Sequence, residues 1–326
     1  MYLIGIDGGG TKTKGYISDL EGNVLASAIG GSSNYLSAGR TTAKESLEQV
    51  INSLCNKINI NKEQTEIISL GLAGAGRKED KKIIEEIIRE IGINNKIIIN
   101  NDAYISLVGA HGQEKGIITI SGTGSISLGI DGNGKLHRTG GWGHILGDEG
   151  SGYYFGKEAL IAIMKAYDGR GEGTTIRDKI LDYLGFNSEE KIPKYVYNNI
   201  EEKNKIAKLA PLVVEAASEG DKIAKEIVNR GIVDLIDLTN TNYNKMGESV
   251  NIALAGGIFE KSKFVRENFI KGLKSKNPQC NVVENKFNSG IGALILAWNY
   301  KEIQYRDNKI LKQIKDVDNN VKNGSD

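Results

Sequence analysis

One pattern occurs twice in this chain and narrows what it can fold into. Tyr2 to Ile6 is a short apolar run, followed by the turn Asp7-Gly8-Gly9-Gly10-Thr11-Lys12-Thr13, a second run from Lys14 to Ser18, and the turn Leu20-Glu21-Gly22-Asn23. Ile117 to Ile120 is again apolar, followed by Ser121-Gly122-Thr123-Gly124-Ser125, a run from Ile126 to Ile130, and Asp131-Gly132-Asn133-Gly134. Each stretch reads as strand, Gly/Thr turn, strand, Gly-Asn turn. Both lead into helix-rich sequence. A repeat on this scale predicts two related domains facing each other.

The intervening sequence supports that reading. Val24 to Ile29 predicts a third strand. Thr42 and Glu45 have the spacing of a capping box, and the helix they open carries Leu47, Val50, Ile51 and Leu54 on one face. Ile67 to Ala73 predicts a strand, and Ile83, Ile84, Ile87, Ile88 and Ile91 mark an amphipathic helix. Lys96 to Ile99 is a further strand, with Asp102 near the start of a helix that runs toward His111. Three antiparallel strands, then alternating helix and strand, make an α/β layer on a mixed sheet. The second half is mostly helical through Thr239. Val250 to Ala255 then predicts a strand ending in Gly256-Gly257, and Ser289 to Tyr300 a closing helix. The boundary is expected near Gln113, giving an N-terminal domain over 1–113, a helix-rich second domain over 114–315, and a polar, disordered tail over 316–326.

Composition removes whole classes of function. Forty-two basic against 41 acidic residues leave a net charge of +1, so no field draws the chain to nucleic acid or an anionic membrane. A 39% hydrophobic and 25% charged composition is that of a soluble globular protein, and no apolar run is long enough to cross a bilayer. MYLIGIDGGG has no basic segment before an apolar one, so no signal peptide is expected. Cys55 and Cys280 are too few for a disulfide scaffold or a cysteine zinc site. The expected setting is the reducing cytoplasm.

The glycine turns carry the chemistry. A tight turn of small residues presents several backbone N–H groups on one side, and these can cradle a phosphate. Gly9, Gly10, Thr11 and Lys12 form the first such turn, Thr123 and Gly124 the second, with Thr11 and Thr13 adding hydroxyls. Asp7, at the end of the first strand, could hold Mg²⁺ directly or through water. A P-loop is excluded, because Lys12 follows Thr11 and a strand rather than a helix follows the turn. A dinucleotide fingerprint fails on the same missing helix. Two phosphate turns suit one polyphosphate, and Gly256-Gly257 offers close backbone approach to a flat base. Each of these turns also has a purely structural reading, as a hairpin or strand-to-helix turn that needs positive φ.

Those three glycine segments resemble the two phosphate motifs and the adenosine motif of the superfamily that unites hexokinases, actin and heat-shock chaperones. Within it the chain is similar to the BadF/BadG/BcrA/BcrD-type ATPase family, in particular its N-acetylglucosamine and N-acetylmuramic acid kinase branch. The most specific string is Gly140-Gly141-Trp142-Gly143-His144-Ile145-Leu146-Gly147-Asp148-Glu149-Gly150-Ser151, which resembles the sugar-binding loop of amino-sugar kinases. The likeness runs from Gly5 to about Ala297.

The resemblance implies two actin-like, ribonuclease H-like α/β domains with mixed sheets flanked by helices, and an active site in the cleft between them. It implies ATP and Mg²⁺ as cofactors, transfer of phosphate to the 6-hydroxyl of N-acetylglucosamine or N-acetylmuramic acid, and a homodimer. By position, Asp102 would be the catalytic base. Asn34, Ser125, Gly141, Trp142, Gly143 and Asp148 would line the sugar pocket, and Ala207 the adenine side. Asp102 alone reads equally as a helix N-cap, Trp142 as a core residue, and Asp148 and Glu149 as acids of a first helical turn. His144 reads as a packing residue. Arg77, after a strand end, would suit an acidic sugar substituent. Two departures bear on this. The cysteine-rich zinc motif of the ROK sugar kinases is absent, and neither cysteine has the context of the iron–sulfur cluster that radical-dehydratase activators hold. Glucosamine kinase, an ATPase activator of a redox partner, and an actin-like nucleotide switch are the alternatives. The activator predicts bound iron and partner-dependent ATP hydrolysis, and the switch predicts hydrolysis without sugar.

Overall fold

The computed structural model describes residues 1–199, 202–305 and 307–323. The chain divides into two units, Met1–Lys115 together with the segment from Glu284 onward, and Gly116–Val283.

The first unit begins with β1 (Tyr2–Gly8), β2 (Thr13–Asp19) and β3 (Val24–Gly30). A single turn, α1 (Tyr35–Ala38), leads into α2 (Arg40–Lys57), then β4 (Thr65–Leu72), α3 (Lys78–Glu90), β5 (Lys96–Asn101) and α4 (Asp102–His111). The sheet order is β3-β2-β1-β4-β5, antiparallel through the first three strands and parallel across β1, β4 and β5. β1 and β4 are buried along nearly their whole length, as strands covered on both faces must be. Ile4, Ile6 and Ile17 pack with Leu47, Val50, Ile51 and Leu54 of α2, the face the sequence pattern picks out. That helix starts two residues before the expected cap. Gly39, with φ 84°, turns the chain directly into Arg40, so the first turn is already formed at Thr42 and no side chain caps it.

The second unit repeats the arrangement. Its strands β6 (Gly116–Ser121), β7 (Ser125–Ile130) and β8 (Leu136–Gly140) are followed by the helices α5 (Gly152–Tyr167), α6 (Ile176–Leu184), α7 (Lys191–Asn198), α8 (Lys203–Ala207), α9 (Ala210–Glu219) and α10 (Lys222–Met246). β9 (Asn251–Ala255), α11 (Gly257–Lys261), α12 (Lys263–Lys276) and β10 (Asn281–Val283) complete it. The order β8-β7-β6-β9-β10, antiparallel then parallel, is that of the first sheet strand for strand. The repeat seen in the sequence is therefore a repeat of topology. β8 lacks an apolar run and so escaped the sequence reading.

The chain then returns to the first unit as α13 (Ser289–Tyr300) and α14 (Asp307–Asn323). This corrects the expected domains. A division at Lys115 lies two residues from the expected one at Gln113, but residues from Glu284 on belong with the N-terminal part rather than with 114–315. The reason is packing. α13 is apolar all round and lies against β1 and α4 at glycine distances: a Cβ on Gly5 would stand 2.5 Å from Leu294 N, and one on Gly292 only 1.9 Å from Ile105 O. The polar tail is corrected too. Residues 316–323 continue α14, where Asp318 accepts hydrogen bonds from Lys14 Nζ (2.6 Å), Ser27 Oγ (2.9 Å) and Tyr16 OH (3.1 Å). Residues 324–326 lie outside the described part.

Candidate active site

In the first unit the β1–β2 turn leaves a row of donors open. Its carbonyls are tied from behind: Ala73 N donates to Gly8 O (2.8 Å) and Ser33 N to Gly9 O (3.2 Å). Gly9 N is used by Lys12 O. The N–H groups of Gly10, Thr11 and Lys12 make no bond among the described residues. None of Gly8, Gly9 and Gly10 has positive φ, so a turn conformation does not explain them. Gly8 is explained by packing, since a Cβ there would lie 2.0 Å from Ser33 Oγ. At Gly9 and Gly10 a Cβ would meet nothing closer than 3.5 Å and 3.9 Å. What glycine leaves there is bare, unobstructed backbone. Thr13 is not a ligand residue. It is buried, and its hydroxyl is committed to Gly31 O and Ser33 Oγ.

Two carboxylates stand near this turn. Burial pushes the Asp7 carboxyl up to about 6, and the nearby charge of Asp102 pushes the same way. Ser289 donates to Asp7, and Ser106 and Ser289 share a 2.9 Å hydrogen bond. Asp102 is exposed, one residue inside α4. It is not the cap: Asn101 is, accepting from Tyr104 N at 2.7 Å. Asn34 caps α1 through Oδ1, which accepts from Leu36 N, and its amide nitrogen has no partner among the described residues. Arg77 is exposed at the start of α3 with no side-chain bond among the described residues.

In the second unit the β6–β7 turn is braced by α5. Gly152 N donates to Gly122 O (2.8 Å) and Tyr153 N to Thr123 O (3.2 Å), which leaves the N–H groups of Thr123 and Gly124 open among the described residues. Gly256 has a structural reason to be glycine. Its φ is 95°, and a Cβ would lie 2.4 Å from Ser121 O, so it lets the end of β9 cross behind this turn. Gly257 and Gly122 face open space.

Asp148 is the least relaxed residue of the set. It is 3% exposed, yet its backbone is left-handed at φ 63°. Oδ1 accepts from Ser125 N at 3.1 Å, while Oδ2 is buried with no hydrogen-bond partner among the described residues. Lys203 Nζ lies 3.9 Å from that oxygen. Gly124 is glycine because a Cβ would sit 2.8 Å from the Asp148 carboxylate. A left-handed backbone and a buried carboxylate oxygen without a hydrogen-bond partner among the described residues set Asp148 apart from the other acids of this loop. α5 begins only at Gly152, capped by Ser151, so Asp148 and Glu149 are not first-turn acids. Ser125 is more restricted than expected. Its hydroxyl donates to Glu149 O at 2.7 Å, leaving only acceptor capacity for a ligand.

Trp142 is 65% exposed and is no core residue. Arg138 stacks on one face of its ring at 4.4 Å and donates to Gly140 O and Gly141 O, so the opposite face is the open one. Gly141 and Gly143 both have positive φ, at 73° and 89°. His144 packs edge-on against Tyr153, as a structural histidine. His137, which has no motif, pairs with Asp131 at 2.7 Å. Ala207 ends α8 against Gly152. Cys55 and Cys280 are both buried and free. No group of three or more metal-ligating side chains occurs among the described residues, and no helix among them is long and apolar enough to cross a membrane. Lys203 and Arg138 went unnoticed in the sequence, because neither lies in a recognisable motif.

A profile of the BadF/BadG/BcrA/BcrD ATPase family matches residues 4–297. The chain is 38% identical over 306 residues to the N-acetylmuramic acid/N-acetylglucosamine kinase of Clostridium acetobutylicum, covering 91% of this chain and 98% of that protein. It is 34% identical to the N-acetyl-D-glucosamine kinase of Dictyostelium discoideum, over 92% and 98% of the two chains. Among solved structures, a Chromobacterium violaceum protein assigned provisionally as an N-acetylglucosamine kinase superposes with a TM-score of 0.75 at 27% identity, over 90% of this chain and 98% of that one. The ROK hexokinase of Thermus thermophilus shares the fold, with a TM-score of 0.57 at 14% identity over 93% and 99%.

Proposed function

The chain belongs to the BadF/BadG/BcrA/BcrD ATPase family, and from that membership we propose an ATP-dependent kinase acting on the 6-hydroxyl of N-acetylated amino sugars. N-Acetylglucosamine and N-acetylmuramic acid are the substrates, as the names of the two relatives above suggest. The observation that carries the reading is Asp148, whose buried Oδ2 receives no hydrogen bond from any group among the described residues. A sugar hydroxyl can donate one.

Each residue then has a task. The open N–H groups at Gly10, Thr11 and Lys12 and at Thr123 and Gly124 bind phosphate oxygens, and Gly9 allows the close approach. Ala207, Gly256 and Gly257 serve the nucleotide's base. Asp102 accepts the proton of the attacking hydroxyl, a role that suits an exposed carboxylate held at the start of α4. Asn34 offers its free amide nitrogen to a sugar oxygen. Ser125 accepts from one, Gly141 and Gly143 shape the loop, and the open face of Trp142 stacks on the ring or acetamido group. Asp7 suits a magnesium–phosphate complex, because a carboxylate crowded by another is relieved by a cation. Bound Mg²⁺ would neutralise the phosphate charge. We place the enzyme in the cytoplasm, as a homodimer salvaging cell-wall sugars.

The test is ADP release from Mg-ATP with N-acetylglucosamine, N-acetylmuramic acid, glucosamine, glucose or no sugar. ADP that depends on an N-acetylated sugar supports the kinase. Equal ADP without sugar refutes it and favours a nucleotide switch or activator. A light-scattering mass determination tests the dimer.

A further inference from the structure

We propose that Lys203 is a substrate-contacting residue that reads a carboxylate carried on the amino sugar. This rests on the kinase reading above and names its substrate class, N-acetylated amino sugars with an acidic ether substituent.

The placement of Lys203 is built into the fold. Gly152 and Gly156, one turn apart on α5, form the seat of α8. A Cβ on Gly152 would stand 3.3 Å from Ala207 O, and one on Gly156 2.2 Å from Ile206 O. At Gly156 the α8 backbone lies at a distance only glycine permits, at Gly152 the contact is tight, and Lys203 is the first residue of α8. Nζ then lies 3.9 Å from Asp148 Oδ2, too far for a hydrogen bond and close enough for attraction. The ammonium has three donors and no hydrogen-bonded acceptor among the described residues.

The pair is lopsided. The Asp148 side chain is 4% exposed and fixed, while that of Lys203 is 41% exposed on a flexible stem. A sugar hydroxyl that donates to Oδ2 takes the position the ammonium only approaches. Nζ is then free to meet what the sugar projects on that side. A neutral hydroxyl gives it a dipole, and a carboxylate gives it a charge-assisted hydrogen bond. A point charge on a flexible stem also accommodates the substrate that lacks the carboxylate.

The experiment measures steady-state kinetics with saturating Mg-ATP for wild type, Lys203→Gln, Lys203→Arg and Arg77→Ala, on N-acetylglucosamine and N-acetylmuramic acid. A lost charged hydrogen bond predicts that Lys203→Gln raises KM for N-acetylmuramic acid about tenfold more than for N-acetylglucosamine. We expect kcat to be little changed and Lys203→Arg to recover most of the loss. Equal KM increases for both sugars overturn the proposal, since they mean that Lys203 serves Asp148 alone. No change, or selective loss in Arg77→Ala only, overturns it as well. Wild type active on N-acetylglucosamine but not on the acidic sugar overturns it and leaves the kinase reading intact. ADP release independent of any sugar overturns both.

Discussion

Asp102 and Asn101 are neighbours with separable tasks. Asn101 caps α4 by accepting from Tyr104 N, whereas Asp102 Oδ1 accepts from Ala103 N at 3.0 Å. Asp102→Asn should therefore lower kcat by about 10²- to 10⁴-fold, the usual worth of a general base, with an unchanged melting temperature. Asn101→Ala should cost about 1 kcal/mol of stability, read by denaturant titration. Asp7 gives a pH-dependent case. Its carboxyl is pushed up to about 6 in the folded protein, against an ordinary value near 4. Below both values it is neutral folded or unfolded and contributes nothing. As pH rises between them, the unfolded chain ionises first and stability falls, and above about 6 the full cost is present. Asp7→Asn should therefore raise the melting temperature of the ligand-free protein at pH 8, have little effect at pH 4, and abolish turnover at both. A melting temperature lowered at pH 8 would contradict the assignment of burial as the dominant cause.

At the scale of elements, glycine has two uses that substitution can tell apart. Gly292 lets α13 touch α4, and an added Cβ would overlap Ile105 O at 1.9 Å. Gly292→Ala should cost 1–3 kcal/mol or more by overpacking, a rough range for strain that cannot relax. Gly10→Ala meets nothing closer than 3.9 Å and should leave the melting temperature alone while raising KM for ATP. Equal destabilisation of both variants would remove the reading of Gly10 as ligand-facing backbone. The same contrast shows what the sequence makes legible. Short apolar runs separated by glycine turns gave β1, β2, β6 and β7, and the uninterrupted apolar string of α13 gave its limits to the residue. β8 was missed because Leu136, His137, Arg138 and Thr139 alternate only weakly, and it is held by its pairing with β7. At the site, motif residues such as Asp148 could be named, but not its left-handed backbone or orphaned oxygen. Lys203 is brought near only by the α5–α8 contact, and Thr13 looks like a ligand until its hydroxyl is found committed to Gly31 and Ser33.

For the whole molecule, the path of the chain matters more than the composition of its tail. The segment after Tyr305 is polar overall, yet Ile310 and Val317 are buried and Asp318 gathers three donors from β2 and β3. Truncation after Tyr305 should lower the melting temperature by several degrees, and Asp318→Ala alone by a smaller amount, about 1–3 kcal/mol for donors left without their acceptor. A truncated chain melting with the full-length protein would return the tail to the disordered class. The second unit is one uninterrupted stretch, whereas the first is assembled from both ends. During synthesis the N-terminal sheet leaves the ribosome first but lacks α13, the helix that fills the face of β1 behind Gly5. The domain made later, Gly116–Val283, can close while the earlier one still shows bare apolar surface. The half that is born first is finished last, and its exposed sheet is where a folding helper would be needed.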